Sequence, residues 1–152
     1  MRRLSRKEEQ YFLSVVEEVA ENSRFPLSKT FCQHGSTSVY AHSLKVAYAG
    51  YRAAVCWNLP VRRYELIRGA LLHDYFLYDW HDREHAHRRP HGFFHPDAAW
   101  KNAREDFPLT RREENIIRRH MFPLTLVPPS CLEAWLVCAA DKICSVQETL
   151  QR

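Results

Sequence analysis

Acidic side chains interrupt two apolar stretches of this sequence, where a carboxylate is costly to bury. Asp141 lies between apolar residues on both sides, and Asp74 directly follows the apolar run Ala70–Leu72 and His73. A buried carboxylate costs several kcal/mol unless it is paired or bound to a metal ion. An ion pair with one of the many arginines and a metal site are therefore the two explanations that the residues leave open.

Histidines at comparable positions favour the metal explanation. His42 lies within an apolar helical pattern, His73 ends another, His95 precedes Pro96, and His120 follows a pair of isoleucines. A lone histidine at a helix end is more often a cap, so the ordered set carries more weight than any member. Imidazole and carboxylate donors without thiolates suit one or two divalent transition metals, namely Fe, Mn, Co, Ni or Zn.

The elements that must position these side chains are expected to be helices. Capping boxes of the form S/T-x-x-E predict helix starts at Ser5, Thr110 and Ser130. Pro60 and Pro96 predict two more, because proline is favoured in the first turn of a helix. A further apolar face runs over residues 36–57, and no segment alternates as a strand should. The sequence thus predicts an all-α fold, a compact bundle of about six helices.

Length and composition limit the class of protein. The 152 residues, of which 45% are hydrophobic, fit a single domain over residues 1–152 and exclude a disordered or fibrous chain. The net charge is +4 without a basic tail, so no specific nucleic-acid binding is expected. No apolar run suits a membrane span or signal peptide, and five cysteines without a CxxC motif predict reduced thiols. We therefore expect no membrane association and a cytoplasmic protein.

The ordered histidines and aspartates resemble the HD-domain superfamily of metal-dependent phosphohydrolases. The resemblance covers about residues 34–148 and rests on the segments YAHSLKVAYAG, IRGALLHD and CAADKI. The four metal ligands of the superfamily are a histidine, a histidine–aspartate doublet and a later aspartate. They match His42, His73, Asp74 and Asp141, so the resemblance implies that these four bind a metal ion.

Two further histidines are implied by superfamily members that bind two metals. They match His95 and His120, with His91 as an alternative to His95, and Asp74 would then bridge the two ions. Ala99 stands where the branch with an HPxxG element has glycine. The GYP signature of cyclic-dinucleotide phosphodiesterases is absent, so the resemblance does not extend to that activity.

The activity implied by the resemblance is hydrolysis of a small phosphate ester or nucleotide by a metal-activated water. Lys45 lies one turn after His42 and is the first candidate to bind the phosphate and to assist Asp74 in catalysis. Arg68 and His34 are further candidates for substrate binding, although His34 would equally serve as a helix cap. Within the long segment 75–95, three histidines are expected to form a polar lid rather than to be ligands: His81, His85 and His87.

Two other functions fit the same residues. One branch of the superfamily has a similar ligand set and uses O₂ at a di-iron centre to cleave carbon–carbon or carbon–phosphorus bonds. The third hypothesis is a non-catalytic metal- or nucleotide-binding module, against which the complete ligand set argues. The partner expected for the enzyme is a small anionic, phosphorylated substrate, and the sequence does not exclude an oligomer.

Overall fold

The structure, a computed structural model, describes residues 1–78 and 91–151, without the side chains of residue 34 and residues 91–93. Over these ranges the regular secondary structure is helical apart from one small sheet, which confirms the predicted all-α class. The six α-helices are α1 (Arg6–Glu21), α2 (Val39–Cys56), α3 (Arg63–Leu72), α4 (His91–Asp106), α5 (Arg111–Arg119) and α6 (Leu132–Leu150). None of the described helices is both long and apolar enough to cross a membrane.

Capping boxes start two helices as predicted, and the third box does not form. The hydroxyls of Ser5 and Thr110 each accept a hydrogen bond from the backbone N–H three residues later. Ser130 lies outside α6, which begins two residues beyond it. Cys131 is the N-cap, so Glu133 stands at the second helical position rather than the third, and it accepts a hydrogen bond from the backbone N–H of Arg62 at 2.7 Å.

Both proline-based helix starts were wrong. Helix α3 begins at Arg63, three residues after Pro60, and α4 begins at His91, five residues before Pro96. Because Pro96 lies inside α4, His95 has helical backbone rather than the extended backbone expected of a residue before proline. Pro96 is the sixth residue of α4, beyond the four N–H groups that lack a helical partner, so it removes one i→i−4 hydrogen bond of this helix.

A short 3₁₀ helix and a hairpin between α1 and α2 were not expected from the sequence. The 3₁₀ helix spans Phe25–Thr30, and β1 (Cys32–His34) pairs antiparallel with β2 (Thr37–Ser38). Gly35 forms the turn at φ 58°, in the left-handed region that favours glycine. Strands of three and two residues are too short to show an alternating pattern. The hairpin packs against α2, and β1 also contacts α6.

The core forms where α2, α3, α5 and α6 pack together. Helix α3 is buried along its length from Leu66 to Leu72. It approaches α5 so closely that a Cβ on Gly69 would lie 2.5 Å from Cδ1 of Ile116. As a result, the C-terminal ends of α3 and α5 meet, with the rings of His73 and His120 in edge-to-face contact at 4.8 Å between centroids.

Candidate metal centre

Three helices bring the four residues of the first group of predicted ligands together. His42 lies on the inner face of α2, between the core residues Val39 and Val46, and Asp141 lies on the inner face of α6. His73 caps the C-terminus of α3, and Asp74 follows it. All four predicted ligands are buried, and their ligand atoms lie within 4.8 Å of one another.

The distances among these atoms suit a bound cation. Nε2 of His42 lies 2.9 Å from Oδ1 of Asp141 and 3.7 Å from Oδ2 of Asp74. Nε2 of His73 lies 3.3 Å from Oδ2 of Asp74 and 3.6 Å from Oδ1 of Asp141. Donors bound at about 2.0–2.2 Å to one ion are about 3–3.5 Å apart. Moreover, Nε2 of His73 makes no directed hydrogen bond within the described part of the chain, so it is available to a cation.

A second group of donors surrounds the other oxygen of Asp74. Oδ1 of Asp74 lies 3.0 Å from Nε2 of His95 and 3.2 Å from Nε2 of His120. The two ring nitrogens are 2.9 Å apart. The structure thus brings all six predicted ligands together, and the carboxylate of Asp74 faces both groups.

Helix ends set the orientation of two of these rings. Nδ1 of His73 lies 2.7 Å from the carbonyl oxygen of Ala70, and Nδ1 of His120 lies 2.8 Å from that of Ile117. A carbonyl oxygen only accepts, so each Nδ1 donates. The nitrogen left to bind a metal ion, once it is deprotonated, is therefore Nε2, which faces Asp74 in both rings. The carbonyls belong to the last turns of α3 and α5, and that of Ala70 also accepts from the backbone N–H of His73 at 3.5 Å.

Comparison with known proteins agrees with this geometry. The family model described as HD domain matches residues 39–145, which is more than two thirds of the chain. The chain belongs to the HD-domain family. No match was found among curated proteins or among solved structures. HD domains are typically metal-dependent hydrolases, and all six candidate ligands of this HD domain lie within the matched residues.

Glu148 and Gln33 also contact the ligands of this HD domain, and neither was predicted. Glu148 is buried on α6, two turns after Asp141, and its Oε2 lies 3.0 Å from Nδ1 of His42. Gln33, on β1, donates from Nε2 to Oδ2 of Asp74 at 2.6 Å. The seven-residue spacing from Asp141 was a usable signal for Glu148. Gln33 reaches the site only because of the unexpected hairpin.

The charges of the site favour a cation. Burial would lower the pKa of His42, but its hydrogen bonds with Asp141 and Glu148 raise that pKa to about 9. Burial would likewise raise the pKa values of Asp74 and Asp141, but the neighbouring histidines hold both below the ordinary range. Burial lowers the pKa of His120, which keeps that ring neutral. The ionised carboxylates that favour a proton on His42 would equally favour a divalent metal ion, and binding of that ion would release the proton.

Arg68, a predicted substrate residue, forms a buried ion pair with Glu113. Its guanidinium donates from Nε and Nη2 to the carboxylate of Glu113 at 2.6 and 2.7 Å. Nη2 also donates to the carbonyl oxygen of Pro108, and the group lies against the rings of Tyr64 and Phe107. The donors predicted to bind a substrate phosphate therefore link α3 to α5 in this structure. The substrate role of Arg68 stays a prediction, which these contacts do not support.

Of the other predicted substrate residues, the structure describes the side chain of Lys45 but not that of His34. Lys45 is half-exposed beside the site, and its Nζ lies 3.3 Å from Oε1 of Glu148, so its substrate role stays a prediction. The side chains of His34 and His91 lie outside the described residues. The same is true of the expected lid histidines: His81, His85 and His87.

Proposed function

We propose that this HD domain is a phosphohydrolase that acts on a small phosphate ester or nucleotide with two divalent metal ions. The observation that carries the proposal is the position of Asp74, whose Oδ2 faces His42 and His73 while Oδ1 faces His95 and His120. A carboxylate shared in this way would hold two ions together with the histidines on either side, as in two-metal phosphatases and nucleases. When bound, such ions supply Lewis acidity toward phosphoryl oxygens and lower the pKa of water.

Side chains of the protein would hold the two metal ions and contact the substrate. Asp141 and His42 would hold one ion with His73, and His95 and His120 would hold the other. The half-exposed Lys45 is proposed to contact the substrate phosphate, because Glu148 holds its ammonium at the edge of the cluster. Free cysteines fit a reducing compartment, so we also propose a cytoplasmic location.

Metal analysis and a substrate panel test the proposal together. Protein purified without an affinity tag is expected to bind two metal equivalents and to hydrolyse a phosphomonoester or nucleotide with Mn, Co, Ni or Fe. Asp74→Asn should lose both metals and all hydrolysis, because its carboxylate serves both groups of ligands. Asp97→Asn, at an exposed position of α4, is the matched control and should change neither quantity.

His120→Ala separates a dinuclear from a mononuclear site. It should bind one metal equivalent fewer and lose most activity while its far-UV circular dichroism stays unchanged. An unchanged metal content would contradict the second site. Oxygen consumption by the Fe(II) protein, without hydrolysis of any ester in the panel, would replace the hydrolase by the di-iron oxygenase.

A further inference from the structure

The outer face of α6 carries an apolar stripe that the rest of the described chain does not cover. Its five large side chains have exposed fractions of 37–79%. At about 100° per residue, all stripe positions lie within about 40° of a line through Ala139. The stripe consists of Leu132, Trp135, Ala139, Ile143, Val146 and Leu150. A helix that is apolar on its outer as well as its inner face is typical of a buried helix.

Charge is nearly absent from this face. All three acidic residues of α6 are buried, and Lys142 is the one charged residue at an exposed position of the helix. Its Nζ donates to the carbonyl oxygen of His120 at 2.9 Å and to that of Cys138 at 3.4 Å, so it is turned toward its own chain. A neutral stripe favours an equally neutral surface as its partner.

The order of side chains along the stripe points to one such surface. Ala139 lies at the centre, with Trp135 and Ile143 four residues away on either side and Leu132 and Val146 seven residues away. We propose that this HD domain forms a homodimer in which the two α6 helices pack antiparallel about a two-fold axis through Ala139. Trp135 then meets Ile143 of the second copy, Leu132 meets its Val146, and the small Ala139 lets the helices approach closely. A self-complementary face is what a two-fold interface requires.

The area of the face matches what a dimer needs. The loop before α6 lies beside the stripe, since the rings of Phe122 and Trp135 are 5.5 Å apart. It adds three exposed apolar side chains: Leu124, Leu126 and Val127. At about 60–120 Å² of apolar surface per large side chain, eight that are roughly 60% exposed present on the order of 500 Å². A standard interface buries about 800 Å² per subunit, and about 65% of a homodimer interface is apolar, so the two areas agree.

Sedimentation velocity of the full chain, at protein concentrations of roughly 1 to 100 µM, tests the interface. The wild type should sediment as a dimer, and Ile143→Asp should weaken the dimer at least about 100-fold, because the aspartate would be buried without a partner. Leu13→Asp, at a similarly exposed position of α1, is the control and should leave the dimer intact. A monomeric wild type, or a dimer that survives Ile143→Asp, would overturn the proposal. Far-UV circular dichroism verifies that each variant is folded, with Val146→Asp as the second interface variant.

Cross-linking tests the two-fold axis itself. Ala139→Cys should form an interchain disulfide under mild oxidation, because both copies place this position on the axis. Gln147→Cys, an exposed position of the same helix outside the stripe, should not cross-link beyond the wild-type background of its five cysteines. A dimer that Ile143→Asp dissociates, but that Ala139→Cys does not cross-link, would overturn the antiparallel arrangement.

Discussion

At the scale of single residues, Glu148 determines how well His42 can serve as a ligand. Its Oε2 accepts from Nδ1 of His42, which directs Nε2 toward Asp141. Glu148→Ala is expected to weaken metal binding about 10–100-fold, as loss of a support behind a ligating histidine typically does. Glu148→Gln should weaken it less, because the amide oxygen still accepts. Competition with a chromophoric chelator measures both.

The exposed neighbour on α6 provides the control for this experiment. Gln147→Ala leaves the contact with His42 intact, so its metal affinity should equal that of the wild type. Equal affinities for Glu148→Ala and Gln147→Ala would show that the glutamate does not support the ligand.

Arg68 is a second single residue with a testable role, and here we expect an effect on stability rather than on metal binding. Arg68→Met should lower the free energy of unfolding by about 3–5 kcal/mol, because it leaves the buried Glu113 without its partner. Metal content per folded molecule should not change. Chemical denaturation measures the first quantity and metal analysis the second. The double variant with Glu113→Leu should recover much of the loss, whereas a higher KM with unchanged stability would instead support the substrate role.

At the scale of elements, the distance between α3 and α5 depends on Gly69. Gly69→Ala should cost about 1–3 kcal/mol of unfolding free energy, because its Cβ would lie 2.5 Å from Cδ1 of Ile116. Since α5 ends at His120, the same change should weaken binding of the second metal. Thermal denaturation and metal titration give the two readouts, and Ile116→Val, which removes Cδ1, should recover part of both.

Gly50 in α2 is the matched control for Gly69. A Cβ there would lie 3.9 Å from Cδ1 of Leu66, an ordinary contact. Gly50→Ala should therefore stabilise the protein by up to about 1 kcal/mol through helix propensity. Equal effects of the two alanine substitutions would contradict a packing role for Gly69.

At the scale of the whole molecule, Asp106 links α4 to the segment after α1. It accepts from the backbone N–H and the Nε of Arg24, both at 3.2 Å, and from the hydroxyl of Tyr75. Burial would raise the pKa of Asp106, but these hydrogen bonds outweigh it and lower the pKa below its ordinary value of 3.8. Because the pKa of this carboxyl is lower in the folded than in the unfolded protein, its ionised form stabilises the fold at any pH above the unfolded-state pKa. That stabilisation is lost as the pH falls through the folded-state pKa.

The sign of this linkage leads to a measurable prediction. Asp106→Asn should be less stable than the wild type to urea at pH 7, and the difference should shrink as the pH falls below 3.8. Asp97→Asn, whose nearest ion-pair contact is Arg118 at 3.9 Å, should show little difference at either pH. A difference between Asp106→Asn and wild type that does not depend on pH would contradict the role of the ionised carboxylate.

How far the sequence predicted the molecule depended on whether a feature was local. His42 and Asp141 were predictable because the 3.6-residue period fixes the helix face that each shares with core residues. The partner of Arg68 was not, because Glu113 lies 45 positions away and any acidic residue could have filled that role. Gln33 was missed for a similar reason, since a hairpin of five strand residues leaves no periodic signal.

The rings that cap α3 and α5 have a consequence for protein design. Each is held by a carbonyl of its own last turn, Ala70 for His73 and Ile117 for His120, so ligand and support are encoded within four consecutive residues. Such a helix end can be transferred to another helix as a whole, because the histidine needs no acidic partner from elsewhere in the chain. Two helices of a new bundle that finish at a common point would thus acquire a pair of oriented imidazoles from two tetrapeptides alone.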